Sequence, residues 1–166
     1  MNTEKNKNEN LEENIAFLDS VMDKATRIIL HFDNQSNILI GISVAISAFA
    51  ISNIGTDKIS FMTLAVFSII ATVVALYAVH PPRFMRKKGQ EESLLYNRKI
   101  ISYEYFSDYT KEILSIVDDR DAIITEYTKE IYNIYKYHYK PKRFLFKVSR
   151  NFLVAGILVF FILFIL

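Results

Sequence analysis

Two uncharged stretches of the sequence decide the fold. Residues 34–56 read NQSNILIGISVAISAFAISNIGT, and residues 59–79 read ISFMTLAVFSIIATVVALYAV. At about 1.5 Å per helical residue, either stretch crosses a hydrocarbon core of roughly 30 Å. Neither stretch alternates polar and apolar residues with period two, which excludes the strands of a membrane barrel. Because only the short link 55–58 joins the two apolar segments, residues 34–80 are predicted to form a transmembrane helical hairpin.

A third apolar run covers residues 152–166. This run is short for a full crossing, but Phe144, Phe146 and Val148 extend its apolar character toward the N-terminus. We therefore predict a C-terminal transmembrane helix over residues 142–166. Buried helices of a soluble core are the alternative for all three runs. Such helices are shorter and amphipathic, so the pattern favours the membrane interpretation.

The predicted fold class is an all-α membrane protein. Residues 1–14 form a tail rich in Asn, Glu and Lys, a composition typical of disorder. Residues 15–33 are predicted to form a cytoplasmic helix that leads into the hairpin without an intervening Gly or Pro. Its apolar residues share one face: Ile15, Leu18, Val21, Met22, Ala25, Ile28 and Ile29.

Residues 81–141 are predicted to form a cytoplasmic helical region. Aromatic and apolar residues recur at helical spacing over 94–117 and again over 122–139, which predicts two helices. The charged residues 118–121 predict the start of the second helix. Pro141 predicts a kink, or a new helix start, before the third membrane helix.

The distribution of Lys and Arg predicts the orientation. Residues 1–33 carry four Lys or Arg, the hairpin tip carries Lys58, and residues 80–150 carry the other fifteen. Because basic residues accumulate on the cytoplasmic side, the N-terminus and residues 81–141 are predicted to be cytoplasmic. We expect a multi-pass protein of the bacterial cytoplasmic (inner) membrane.

The composition argues against an enzyme. The chain has no cysteine and four glycines, which excludes thiol chemistry, cysteine-bound metals and most Gly-rich phosphate loops. None of the three histidines has another histidine four residues away. We therefore predict no catalytic residue, no metal ligand and no cofactor. A net charge of +2 does not favour duplex nucleic acid as a partner.

Two groups of residues are candidates for binding a ligand. The basic group after the hairpin consists of Arg83, Arg86, Lys87 and Lys88, which suits either an anionic lipid surface or an anionic ligand. Tyr103 and Tyr135 are candidates for stacking on a nucleobase. Their alternative role is helix packing or an interfacial belt of tyrosines.

One face of the first membrane helix is made of small residues, here called the small-residue face. It consists of Asn37, Gly41, Ala45, Ala48 and Ser52, with Ser36, Ser43 and Ser47 beside it. Small side chains permit close helix contact. Asn37, Gly41, Ser43, Ser47 and Ser52 are therefore candidates either for lining a pore between several copies or for packing within one chain.

The order of these parts resembles the small transmembrane effectors of bacterial Pycsar anti-phage defence. The resemblance covers the chain from about Ile15 onward. It includes the polar patch 31–36, the hairpin, the exit Pro82-Arg83, an aromatic helix with Tyr105-Phe106, the Lys/Tyr-rich residues 135–143 and a final membrane helix. The family pattern has a basic residue two positions after Asp33, where this chain has Gln35.

The resemblance implies a membrane effector that responds to a nucleotide second messenger, in the Pycsar branch a cyclic pyrimidine mononucleotide. Activation then impairs the inner membrane, with a homo-oligomeric pore as one route. The expected partners are membrane lipid, other copies of the chain and a cyclic mononucleotide or related signal. The alternative function is a non-enzymatic membrane subunit that anchors a cytoplasmic partner.

Overall fold

The computed structural model of the chain describes the backbone of residues 2–81 and 92–166 and the side chains of residues 13–81, 92–96 and 99–166. Every regular element in these ranges is helical, which confirms the all-α prediction. The elements are α1 (Asn2–Ser52), α2 (Lys58–Val79), α3 (Asn97–Ile101), α4 (Phe106–Ile116), α5 (Arg120–Asn133), a π-helical turn (Ile134–Tyr139) and α6 (Lys140–Ile165).

Three stretches in the described ranges are long and apolar enough to cross a membrane: Glu13–Ser52, Lys58–Val79 and Arg120–Ile165. The third stretch contains α5, the π-helical turn and α6. Lys140, Lys142 and Arg143 confine its apolar part to the later residues of α6. The three predicted membrane helices are therefore all present.

The chain divides into two compact units. The helical unit comprises Met1–Ile28 and Lys87–Tyr137, and the membrane unit comprises Ile29–Arg86 and His138–Leu166. In the helical unit, the apolar face predicted for the early part of α1 is its less exposed side, and Ala25 is buried. Since α1 begins at Asn2, it includes most of the tail 1–14, and the disorder of that tail in solution stays a prediction.

Asp57 starts the second helix of the hairpin. Its backbone is extended, with φ −143° and ψ 101°, and its carboxylate accepts hydrogen bonds from the backbone N–H and the hydroxyl of Ser60. This cap satisfies an N–H group that the first turn of α2 leaves without a helical partner. The short link therefore ends where the sequence predicts.

The core of the membrane unit is built on small side chains. The buried residues of α2 are Ser60, Phe61, Leu64, Ala65, Ser68, Ala71, Ala75 and Ala78. Ala71 and Ala75 cluster with Leu39 of α1 and Leu153 of α6. Phe61, Leu64 and Ala65 cluster with Ala50 of α1. Lipid tails are as apolar as these side chains, so close packing rather than the hydrophobic effect holds such helices together.

Helices α2 and α6 approach closely at Gly156. A Cβ atom at this position would overlap the Cβ of Phe67, so any larger residue forces the two helices to move. The hydroxyl of Ser149 donates a hydrogen bond of 2.6 Å to the carbonyl of Ala71 and joins the same two helices. Both features fix α6 against α2.

The single helix predicted over residues 94–117 is wrong, because the structure has α3 and α4 with a break at residues 102–105. The hydroxyl of Ser102 donates to the carbonyl of Lys99 at 2.6 Å, a bond that competes with continuation of the helix. Tyr105 then adopts extended backbone, with φ −123° and ψ 142°, before α4 begins. Local hydrogen bonding thus overrides the helical spacing.

The start of the following helix is confirmed. The carboxylate of Asp119 accepts hydrogen bonds from the backbone N–H groups of Asp121 and Ala122 and caps α5. The predicted kink near Pro141 takes the form of the π-helical turn that precedes α6. Pro141 has no N–H and its ring crowds the carbonyl four residues earlier, which explains the wider turn there.

Candidate functional site

Lys142 connects the three helices of the membrane unit. Its Nζ donates to Asp33 Oδ1 of α1 and, at 2.7 Å, to the carbonyl oxygen of Val79, the last residue of α2. Lys142 lies in the first turn of α6 and is only 7% exposed. Its positive charge meets a carbonyl that the end of α2 leaves unpaired, where the helix dipole favours a cation. We call Asp33, Val79 and Lys142 the Lys142 junction.

Aromatic side chains also tie α1 to the start of α6. The ring of Phe32 lies 5.4 Å from the ring of Tyr139 and 5.9 Å from that of Phe146, both edge to face. The guanidinium of Arg143 lies 5.8 Å from the centre of the Tyr139 ring. Such contacts add to the area that packing buries.

The Lys142 junction was missed at the level of sequence. Its two charged members are 109 residues apart. A Lys in the first turn of one membrane helix and an Asp at the start of another were the available signals. The resemblance drew attention to Gln35 instead, and the structure pairs the Gln35 amide with the His31 ring at 3.0 Å.

The candidate pore residues separate into two groups. Ser43 and Ser47 are buried within the chain, and their hydroxyls bond the backbone carbonyls of Leu39 and Ser43 at 2.7 and 2.8 Å. Asn37, Gly41 and Ser52 are exposed. Nothing lies within 4 Å of the place a Cβ would take on Gly41.

The rest of the small-residue face follows the exposed group, since Ala45 and Ala48 are exposed as well. The whole face therefore points away from the buried core of its own chain. Ser36, Ser43 and Ser47, expected beside this face, instead lie on the opposite side of the helix and point toward that core.

Tyr103 lies in a compact polar cluster of the helical unit. Its hydroxyl donates to Glu112 Oε2, and its ring centre lies 5.4 Å from that of Tyr109. Lys99 Nζ lies 5.1 Å from the ring centre of Tyr103 and 3.5 Å from Glu112. Loss of solvent raises the pKa of Tyr103, and the hydrogen bond with Glu112 raises it further. The phenol is therefore neutral, and its ring lies next to the ammonium group of Lys99.

A second polar cluster fixes the turn before α3 against α5. The backbone N–H of Leu94 donates to Glu126 Oε2 at 2.6 Å, and Lys129 bonds Glu126 Oε1 at 2.7 Å. Ser93 and Glu130 are buried beside this contact. Among the residues described, Glu130 Oε2 has no hydrogen-bond partner.

The remaining predicted ligand residues belong to two parts of the chain. Arg83, Arg86, Lys87 and Lys88 lie outside the described residues. Tyr135 is half-buried in the π-helical turn. No three His, Asp or Glu side chains of the described parts form a group that would hold a metal ion.

Three helices that are long and apolar enough to cross a membrane define the class of the protein as an α-helical membrane protein. The model of the Pycsar effector protein domain matches residues 17–166. The chain belongs to this family, and its role is that of an effector of anti-phage defence. Neither the comparison with curated proteins nor the one with solved structures found a match.

Proposed function

We propose that this chain is a nucleotide-responsive effector whose copies assemble in the inner membrane and open a pore. The small-residue face is the observation that carries this proposal. It lies on a helix long and apolar enough to span the membrane, yet it is exposed while the opposite face is buried. Small side chains favour helix–helix contact, and an amide such as that of Asn37 favours a helix or water over lipid.

The proposed pore is formed by Asn37, Gly41 and Ser52, with Ala45 and Ala48 between them. Ser43 and Ser47 take the packing role, because their burial and their bonds to the helix backbone suit contacts inside one chain. The absence of charge in residues 34–56 suits a passage without strong ion selectivity.

The proposed orientation puts the N-terminus and residues 81–141 in the cytoplasm, where a nucleotide signal is available. Pycsar systems signal with cyclic nucleotides, and membership of the family supports such a ligand. Arg83, Arg86, Lys87 and Lys88 are proposed to contact its phosphate. Tyr103 is proposed to stack on its base because the tyrosine combines an aromatic face with Lys99. Tyr135 is the second stacking candidate.

Dye leakage from liposomes that contain only this protein tests the proposal. Cyclic mono-, di- and oligonucleotides are added one at a time, with insertion confirmed by protease protection. We expect leakage with one nucleotide and little leakage without it. Confirmed insertion with no leakage under any nucleotide would contradict the pore and favour a subunit that anchors a cytoplasmic partner.

Gly41→Leu tests the pore face in the same assay. No atom of the same chain lies within 4 Å of a Cβ at this position, so the variant is expected to fold normally. Its effect then comes from contacts with other copies of the chain or from the passage between them. We expect the nucleotide-dependent leak to fall about tenfold because the added bulk narrows the passage or separates the copies. Val73→Leu, at an exposed apolar position of α2 and away from the small-residue face, is the matched control and leaks like the unmodified chain. Equal leakage from both variants would remove this face from the pore.

A further inference from the structure

We propose that the Lys142 junction is a latch that holds the membrane unit closed and separates when the effector breaches the membrane. This inference rests on the proposed function, because it assigns the closed state of that pore to particular residues. The latch consists of one ammonium, one carboxylate and one backbone carbonyl, each from a different helix.

The junction matters because a polar contact between membrane helices favours the one arrangement that brings its partners together. Lipid surrounds apolar side chains as well as a neighbouring helix does, so apolar packing alone gives little preference for one arrangement. Lys142 bonds two other helices at once, and its contact with Asp33 fastens α1 to α6. Ser149 fastens α6 only to α2. Loss of the Lys142 contacts therefore removes the ion pair between α1 and α6 and leaves only aromatic and apolar packing between these helices, while Ser149 keeps α6 bonded to α2.

The chemistry of the junction also suits a contact with two alternative states. A buried ion pair gains attraction but loses the hydration of both charges, so its net stabilisation is small. An ammonium that stays buried after losing its carboxylate is strongly unfavourable. Lys142 therefore has two favourable states, paired and buried or separated and hydrated. A ligand that binds one arrangement better then shifts the population between them.

Water has access to one side of this contact. The side chain of Asp33 is 26% exposed, whereas that of Lys142 is 9% exposed. Hydration of Asp33 compensates part of the cost of separation, while the ammonium becomes hydrated only when the helices move apart. Hydration of the Asp33 carboxylate therefore favours separation of the ion pair. Burial of the Lys142 ammonium opposes any separation in which the helices do not move apart.

Leakage without nucleotide tests the latch. We expect Asp33→Asn and Lys142→Met each to raise the basal leak about tenfold or more, because each removes one partner of the buried pair. The charge exchange Asp33→Lys with Lys142→Asp is expected to return the leak only in part, because it restores the ion pair but places an acceptor where Lys142 donates to the carbonyl of Val79. Lys147→Met removes an exposed lysine of the same helix and is the matched control, with unchanged basal leak.

A purely structural salt bridge gives a different result. In that case both single variants lose thermal stability in detergent, but their basal dye leakage from liposomes and their response to nucleotide are unchanged. This result would overturn the latch. The double variant Asp33→Asn with Lys142→Met has no unpaired charge, so it keeps the test valid if a single variant fails to insert. We expect it to insert and to leak.

The two proposals fail in distinguishable ways. If the unmodified chain responds to a nucleotide and the variants stay tight without it, the latch alone is wrong. If the variants leak and no nucleotide opens the unmodified chain, the latch is supported and the nucleotide signal is wrong. If neither leaks, both proposals are wrong.

Discussion

Glu130 is a buried carboxyl group in the polar cluster of the helical unit, and only 7% of the residue is exposed. Burial raises its pKa above the ordinary value of 4.5, and the neighbouring carboxylates of Glu126 and Glu92 raise it further. The folded chain therefore holds the proton of Glu130 more tightly than the unfolded chain does. The stabilisation this gives is complete below the ordinary pKa and is lost as the pH rises through the raised pKa.

Glu130→Gln replaces this group with a neutral amide of the same size. We expect the variant to be more stable than the unmodified chain at neutral pH by about 1 kcal/mol, which raises Tm by roughly 2–4 °C for a chain of this size. Thermal unfolding in detergent from pH 4 to pH 8, in roughly half-unit steps, is the measurement.

Glu104→Gln, at an exposed position, is the control and should keep the pH profile of the unmodified chain. If the Tm of the unmodified chain and that of Glu130→Gln change with pH in parallel, the pKa of Glu130 does not differ between the folded and the unfolded chain.

At the scale of single residues, the sequence predicts the chemical type of a candidate residue better than it predicts whether that residue is buried or exposed. It identifies Asn37, Gly41 and Ser43 as small or polar residues of a membrane helix. It does not decide which of them face the core, because small and polar residues suit both helix packing and a pore lining. The neighbouring helices decide it, and they bury Ser43 and leave Gly41 open.

At the scale of helices, the two membrane glycines provide a matched pair. Gly156→Ala puts a methyl group against the Cβ of Phe67, whereas Gly41→Ala puts the same group into open space. We expect Gly156→Ala to lower the free energy of unfolding by about 1–3 kcal/mol through overpacking. Gly41→Ala should have no effect or a slight stabilising one, since alanine is the better helix former.

Unfolding by SDS titration, followed by circular dichroism, measures both glycine variants. A similar result for the two would mean that the close approach of α2 and α6 at Gly156 is not maintained in the membrane.

Helices were predictable where apolar pattern and capping agree. The span of α2 and the later part of α6 follow from uncharged runs, and the start of α5 follows from Asp119. The break between α3 and α4 was not predictable from spacing, because it depends on the side chain of Ser102 bonding a nearby carbonyl. Pro141 marked a disturbance, but its form, a π-helical turn, depends on how the preceding residues accommodate the proline ring.

At the scale of the whole molecule, assembly of several copies determines how leakage depends on concentration. We expect the initial leak rate at saturating nucleotide to rise more steeply than linearly with the ratio of protein to lipid. Several copies must meet before one passage opens, and dilution in lipid separates them. Liposomes prepared over a range of protein-to-lipid ratios provide the measurement. A strictly linear dependence would indicate that one chain acts alone.

The fold class and the family could be recognised from the sequence, since long uncharged runs and the order of parts carry that information. The Lys142 junction could not, because it requires knowing that Asp33, Val79 and Lys142 meet. Contacts between residues far apart in the chain depend on the packing of whole helices, which single-sequence patterns do not encode.

The capped hairpin tip has a consequence for how the protein enters the membrane. Asp57 and Lys58 are adjacent and are the charged residues between 34 and 79. In the proposed orientation they cross to the far side together, so the tip carries no net charge. Moving a single charge across the membrane costs or gains about 2.3 kcal/mol per 100 mV. For this pair the two contributions cancel, so insertion of the hairpin is insensitive to the energisation of the cell.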